Sequence, residues 1–422
     1  MQRMASLNPP SPVPANPGSP TRPVHQLGWR VAVLPFRGID SPLGGGIVLG
    51  MAEEISVLLA RFRAPHLIAT ATFWDGDGLV ANWAEQCRTY RLDYVVTGTI
   101  QVVGDRVQVR VTLQDVVLDF ETIWVGRFEG EVGDLFSLQD HIASGTVAQI
   151  DPELFHRTSA FPPSGRTDVA AAHHAVLTAI QGIYRLDRAS FLQARELLAT
   201  AIELDPSCAA AHAWMAYWGI MVVAQGWAED PRAITVLAGQ SAERAMLLDP
   251  LDARAVAIAG HVTAYLMHDV RAALRLHARA VELNPNLPIA WTLSSWSKIY
   301  IGDHAAAVRH AQTSMSLSPR DPHIFAAEHV LMTAHFFRRH MDEAERMADA
   351  VMERNPDHVS ALNVHLAILG HMGRRAEAGY FLGLLQASHP GITVGAIAAR
   401  APLRPNDLAF YMEGLRRAGV PS

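Results

Sequence analysis

The chain has 422 residues, of which 50% are hydrophobic and 18% charged, a composition typical of a soluble protein with two or three domains. Its 35 Lys and Arg against 41 Asp and Glu leave a net charge of −6. This charge excludes a global positive field and disfavours direct nucleic-acid binding by the whole chain. The two cysteines, Cys87 and Cys208, are too few for a disulfide framework and favour a reducing compartment.

The first 28 residues contain seven prolines among Ser, Asn and Gly, with almost no bulky apolar side chain. This composition predicts a disordered tail over residues 1–28, with a proline-rich ligand for an SH3-like domain as the alternative. The segment holds no apolar run of the length that a secretory signal requires, and no stretch of the chain reaches the roughly 20 apolar residues that span a bilayer. The sequence therefore predicts a cytoplasmic protein without a membrane segment.

The first folded segment begins with strand and helix patterns in alternation. Arg30–Phe36 is a short apolar run, which predicts a strand buried on both faces. Apolar residues at three- and four-residue spacing predict a helix over Ile47–Phe62. A short strand over His66–Ala69 and a second helix over Val80–Arg91 follow, and the apolar side of that helix places Cys87 in a core.

The clearest strand pattern lies in the next part of this segment. Tyr94–Val103 is rich in β-branched residues, and Asp105–Gln114 alternates between apolar and polar side chains without error. Between these two strands, Gly104 and Asp105 suit the positive φ of a tight hairpin turn. A third antiparallel strand is expected over Thr122–Phe128.

Helical spacing returns over Leu135–Ile150. Together these patterns predict an α+β domain over residues 29–152, a mixed sheet with helices on one face.

After a linker over residues 153–169, strand patterns stop and a repeat begins. Prolines that end helices recur 34 to 44 residues apart, and an alanine stands twelve residues before each of them. These alanines are Ala194, Ala238, Ala273, Ala307, Ala344 and Ala378, and the prolines are Pro206, Pro250, Pro285, Pro319, Pro356 and Pro390. A period near 34 is that of the tetratricopeptide (TPR) repeat, whose paired helices need a small residue where they approach closely. The sequence therefore predicts an all-α TPR solenoid of about six repeats over residues 170–422, with the extra residues of the longest interval around Gln225–Pro231.

The segments that partly match known ligand-binding or catalytic motifs each lack residues that those motifs require. The glycine-rich segment Ser41–Gly46 lacks the third glycine of a dinucleotide fingerprint and the Lys of a phosphate loop, so a plain turn is preferred to nucleotide binding. Asp75–Gly78 lacks the later ligands of a calcium loop. The 20 histidines include no His-Glu-x-x-His pair, and Cys208 has no readable His partner. We expect no catalytic residue, no metal ligand and no cofactor.

The groove of the solenoid is the remaining candidate site. In such solenoids the first helix of each pair lines the concave face, and aromatic and amide side chains there can anchor an extended peptide. The phase set by the prolines directs seven side chains towards it: Tyr217, Ile220, Thr292, Trp296, Tyr300, Ser360 and Asn363. The alternative is that Tyr217 and Trp296 only pack between neighbouring helices.

Several segments of the first domain, in this order and spacing, resemble a bacterial module. They are Val31–Phe36, Met51–Ile55, Tyr94–Ile100, Gly104–Val107 and Asp134–Asp140 with Ile142. The module is the domain similar to the amino-terminal domain of TolB that precedes TPR repeats in regulatory proteins. In that family the domain and repeats usually form the carboxyl-terminal part of class III adenylate or guanylate cyclases, or of winged-helix transcriptional regulators.

The residues before Trp29 are too few for a cyclase or a winged helix, so the resemblance implies the sensing or partner-binding half of a regulator. We expect a non-enzymatic cytoplasmic regulatory protein in bacterial signalling or transcription control. Its TPR groove would bind a protein or peptide, and the α+β domain would be a second interaction or ligand-sensing surface. The alternatives are a DNA-binding transcriptional regulator and a remnant of an adenylate cyclase-type regulator. The sequence leaves self-association open.

Overall fold

The computed structural model describes most of the chain. The described residues are 29–39, 45–62, 66–74, 79–131, 138, 141–147, 150, 168–319, 321 and 323–422. The predictions for the tail over residues 1–28, for Asp75–Gly78 and for most of the linker over residues 153–169 lie outside them.

A mixed sheet forms the amino-terminal part. Its strands are β1 (Arg30–Val33), β2 (Arg37–Ile39), β3 (His66–Ile68), β4 (Tyr94–Val103), β5 (Arg106–Asp115) and β6 (Glu121–Glu131). Their order is β3-β1-β4-β5-β6, with β2 also paired to β4. Strand β1 runs parallel to β3 and β4, whereas β4, β5 and β6 form an antiparallel meander. The predicted hairpin turn is confirmed, since Val103 pairs with Arg106 and Gly104 has a φ of 61°.

Helices cover both faces of this sheet, which corrects the prediction of helices on one face. Helix α1 (Gly45–Leu59) packs with Val31 and Val33, whereas Cys87 of α2 (Trp83–Thr89) packs with Ala32 and Leu34. Successive side chains of a strand point to opposite faces, so an apolar strand such as β1 needs a cover on each. The buried position predicted for Cys87 is confirmed.

Six helical hairpins follow the sheet. Their first helices are α3 (Asp168–Arg185), α5 (Ala209–Ala224), α7 (Ala253–His261, continued by π-helical Val262–Leu266), α9 (Pro288–Tyr300), α11 (Phe325–Phe337) and α13 (Val359–Met372). Their second helices are α4 (Arg188–Leu204), α6 (Pro231–Leu248), α8 (Val270–Leu283), α10 (His304–Leu317), α12 (Met341–Arg354) and α14 (Arg375–Ser388). Beyond them lie α15 (Val394–Ala398) and α16 (Pro405–Arg417), the latter packed against α13.

Local chemistry explains where several of these helices begin. Aspartate side chains at the N-caps of α4, α6, α7, α8 and α10 accept hydrogen bonds from backbone N–H groups of the first turn. Such a cap satisfies a donor that the helix itself cannot pair. The hairpins are therefore delimited by residues within each repeat.

The six regularly spaced alanines all lie on the second helix of a hairpin and are completely buried. Ala194 faces Gly182, and a Cβ placed on Gly219 would lie 2.8 Å from the Cβ of Ala238. Small residues thus set the close approach of the paired helices, as their spacing predicts. The loop between α5 and α6, residues 225–230, holds the extra residues of the longest interval.

The sheet and the hairpins share apolar packing. One continuous cluster of buried side chains runs from Val31 and Ile55, through Ile142, to Ile180 and Leu293. No helix among the described residues combines the length and apolar character that crossing a membrane requires.

Candidate functional site, a cavity on the inner face of the helical hairpins

The hairpins curve until those four apart along the chain meet, the first with the start of the fifth and the second with the sixth. Tyr184 of α3 stacks on His323 with ring centroids 3.6 Å apart. The Gln225 Oε1 atom accepts a hydrogen bond from the backbone N–H of Ser360 at 3.3 Å, and the Gln225 carbonyl oxygen accepts one from His389 Nε2 at 2.9 Å. The loop after α5, which the sequence marks as an insertion, therefore bridges to the last hairpin.

The closed curve leaves a cavity of about 130 Å³ at its centre. Inner helices α3, α5, α7, α9, α11 and α13 contribute to its wall, and Ile397, Arg400, Ala401, Leu403 and Tyr411 line it from the carboxyl-terminal part. Apolar protein cavities of roughly 150 Å³ accept a benzene-sized molecule. The inner face thus has a recess that one ring-sized group fills, and this recess opens to solvent.

All seven side chains predicted for the groove line this one cavity. Three of them have hydrogen-bond partners within the protein: the Thr292 hydroxyl bonds to Ser314 Oγ at 2.8 Å, Ser360 Oγ bonds to His358 Nε2 at 3.1 Å, and the Tyr217 side chain bonds to that of Tyr184. Helical phase therefore brings the seven together across three inner helices. Their role in binding a partner stays a prediction.

Aromatic rings form much of the wall. Trp296 stacks on Tyr300 at 6.0 Å between centroids and meets His329 edge-on at 4.9 Å. Tyr217 lies 6.1 Å from Tyr184 between centroids. Tyr217 and Tyr300 are almost fully buried in this wall, whereas Trp296 is only half-buried. Rings on neighbouring helices thus both pack against each other and face the cavity.

Among the lining residues that the repeat pattern does not predict are three histidines and one arginine: His261, His329, His358 and Arg400. For His261 a signal exists, because it stands eleven residues after Pro250, as Tyr217 does after Pro206 and Trp296 after Pro285. Arg400 follows the last hairpin, where the repeat period offers no guide.

Burial controls the charge of these groups. It lowers the pKa of His261 and of His358 to about 3, and that of His329 well below the ordinary imidazole value. It also raises the pKa of Tyr217 to about 12. These imidazoles and this phenol are therefore neutral at neutral pH. Arg400 is the one Lys or Arg among the described residues that line the cavity.

Metal binding and thiol catalysis find little support in the part of the chain that the structure describes. Within that part, no group of three His, Cys, Asp or Glu side chains could hold a metal ion. Both cysteines are free thiols, and burial raises the pKa of Cys208 as well as that of Cys87, to about 12 for Cys87. Raised pKa values keep the thiols protonated and weakly nucleophilic.

Fold and cavity define a helical-repeat protein that carries a mixed α/β sheet domain at its amino-terminal side. No family model matches the chain. A protein named putative adenylate cyclase 3, from Rhizobium meliloti (strain 1021), is 25% identical over 210 residues, which make up 49% of this chain and 33% of that protein. The chain thus spans about a third of the length of this curated relative.

Similar solved structures include proteins with TPR repeats. TTC0263 of Thermus thermophilus, described as a thermophilic TPR protein, has a TM-score of 0.37 and 15% identity, covering 47% of this chain and 99% of that one. PilF of Pseudomonas aeruginosa has a TM-score of 0.35 and 19% identity, covering 54% of this chain and 97% of that one. YrrB, described as a TPR protein with an unusual peptide-binding site, has a TM-score of 0.27 and 19% identity, covering 51% and 97%. These TM-scores are low, so the assignment of a helical solenoid rests on the six hairpins of the structure itself.

Proposed function

We propose that this chain is a non-enzymatic cytoplasmic regulatory protein that binds a protein or peptide partner on the inner face of its helical hairpins. The observation that carries the proposal is the convergence of seven side chains from three inner helices on one cavity. The partner inserts one ring-sized group there, because the recess has the volume of such a group. Aromatic anchors in enclosed pockets supply most of the affinity of such contacts.

The electrostatics of the cavity support binding rather than catalysis. A general acid or base works best with a pKa near the operating pH. The pKa values of the cavity imidazoles lie far below that range, and the pKa of Tyr217 lies far above it. Groups that keep one protonation state suit recognition by shape and hydrogen bonds.

We propose a role in bacterial signalling or transcription control. The similarity to a protein named putative adenylate cyclase 3 supports this role in signalling. The matched residues make up a third of that protein. We propose that the shared part binds or senses, with the α+β domain as a second interaction surface. The regulatory output, such as catalysis or DNA binding, is then supplied by another domain or protein.

Trp296→Ala and Tyr300→Ala are expected to weaken binding of the partner more than fivefold, because each removes an aromatic wall of the cavity. The measurement is affinity capture from native lysate with the immobilised full chain, followed by titration of the captured partner. Tyr380→Ala is the matched control, since Tyr380 lies on the second helix α14 and is 66% exposed. Unchanged affinity in both cavity variants would refute the assignment of the inner face.

A further inference from the structure

Arg400 brings a charge to the wall of the cavity without an evident counterion. Its guanidinium packs against Gly226, so closely that a side chain at position 226 would overlap it. The Nη1 atom is buried and has no hydrogen-bond partner. Among the described residues that line the cavity there is no Asp or Glu. Arg400 is half-buried, and an anion in the cavity would pair with its guanidinium.

Three imidazoles beside the same wall have a ring nitrogen without a hydrogen-bond partner. The Nδ1 atoms of His261 and His358 and the Nε2 atom of His329 are buried without a hydrogen-bond partner. All three side chains are at most 6% exposed. Each of these nitrogens donates a hydrogen bond in one of the two neutral tautomers. These nitrogens are closed off from solvent and lie behind the cavity surface, so the fixed charge of the wall comes from Arg400.

The rest of the wall determines what carries the anionic group. Trp296, Tyr300, Phe325 and Phe337 present ring surfaces to a space of about 130 Å³, which suits a single ring. A carboxylate matches the planar guanidinium and its single charge, whereas a doubly charged phosphate would bring one charge more than Arg400 balances. Shape and charge together select a monocarboxylate on a ring-sized apolar body.

We propose that the cavity binds such a monocarboxylate, with its oxygens at the Arg400 guanidinium and its ring among Trp296 and Tyr300. The proposal rests on the proposed function insofar as the same cavity is the binding site. The carboxylate has two sources with the same chemistry, a free aromatic acid or the carboxyl-terminal residue of a peptide that ends in Phe. The experiment separates these sources.

The test is isothermal titration of the full chain with phenylacetate and with its neutral isostere phenylacetamide. We expect phenylacetate to bind at least tenfold more tightly, because only the acid pairs with Arg400. Arg400→Gln is expected to lower the affinity for phenylacetate at least tenfold and to leave that for phenylacetamide unchanged. Arg271→Gln, which removes the same charge from an exposed position on α8, is the control.

Two acetylated peptides ending in Gly-Phe, one a free acid and one an amide, complete the titration. Binding of the peptide acid but not the amide supports both the inference and a peptide partner. Binding of phenylacetate alone supports the inference and contradicts a carboxyl-terminal Phe as the source of the carboxylate.

Equal affinity of phenylacetate and phenylacetamide in the unaltered chain, or no binding of either, overturns the inference even if Arg400→Gln does not fold. The proposed function is then still judged separately, by the capture experiment with the Trp296 and Tyr300 variants.

Discussion

Acidification from pH 6 to pH 5 is expected to lower the free energy of unfolding of the helical hairpins by at least about 3 kcal/mol. Burial lowers the pKa of His261, His277 and His358 to about 3, whereas an unfolded imidazole titrates near 6.5. Between these two values the unfolded chain takes up protons that the folded chain does not. Stability is therefore full above about pH 6.5 and falls as the pH approaches 3, by about 1 kcal/mol per histidine over this unit.

Urea unfolding followed by circular dichroism at pH 7, 6 and 5 measures this loss. His277→Leu is the informative variant, because both ring nitrogens of His277 are buried without a partner. Removing them leaves no orphaned partner group, so we expect little loss of stability at pH 7 and a pH dependence reduced by about 1 kcal/mol. His268→Asn is the control at an exposed position, because asparagine also tolerates the left-handed backbone of this residue, whose φ is 60°. A wild-type stability that stays flat between pH 7 and pH 5 would contradict the burial of these imidazoles.

Gly370→Ala is expected to lower the free energy of unfolding by about 1–3 kcal/mol. Helices α13 and α16 touch backbone to backbone here, and a Cβ on Gly370 would overlap the carbonyl oxygen of Gly414. In an unhindered helix the same change is stabilising by roughly 0.5–1 kcal/mol, because alanine restricts the unfolded chain. Where α13 and α16 cross, overpacking makes the same change destabilising.

The chain supplies a matched control for this prediction in helix α14. Nothing lies within 4 Å of a Cβ placed on Gly379 or on Gly383, so both changes to alanine are expected to raise stability. Thermal unfolding of the three variants compares the signs directly. Since α16 carries Tyr411, which lines the cavity, Gly370→Ala should also weaken cavity binding. Three shifts of the same sign would contradict the close crossing.

Elements whose signals are local were predictable from the sequence. The hairpins follow from apolar stripes, turn residues and buried alanines such as Ala307, all of which act within one repeat. The meander of β4, β5 and β6 follows from alternation and from Gly104. The seven groove residues converge because helical phase alone decides which side of a helix they occupy.

Features that depend on distant contacts were not predictable in this way. The closure of the curve, seen where Tyr184 meets His323, is the sum of small rotations between successive hairpins and appears in no single one of them. Arg400 reaches the cavity only because that closure brings residues beyond the last hairpin across it. The cover on the second face of the sheet depends on how the chain crosses between parallel strands, which local periodicity does not show.

Site-specific photo-crosslinking tests the central claim, that partners bind inside the curve of hairpins. A benzophenone amino acid replaces Met221, which lines the cavity, or Met267, which lies against α6 outside it. In native lysate we expect a covalent adduct with the partner from position 221 and none from position 267. An adduct from position 267 alone, or a partner that copurifies with both variants and crosslinks to neither, would contradict the account.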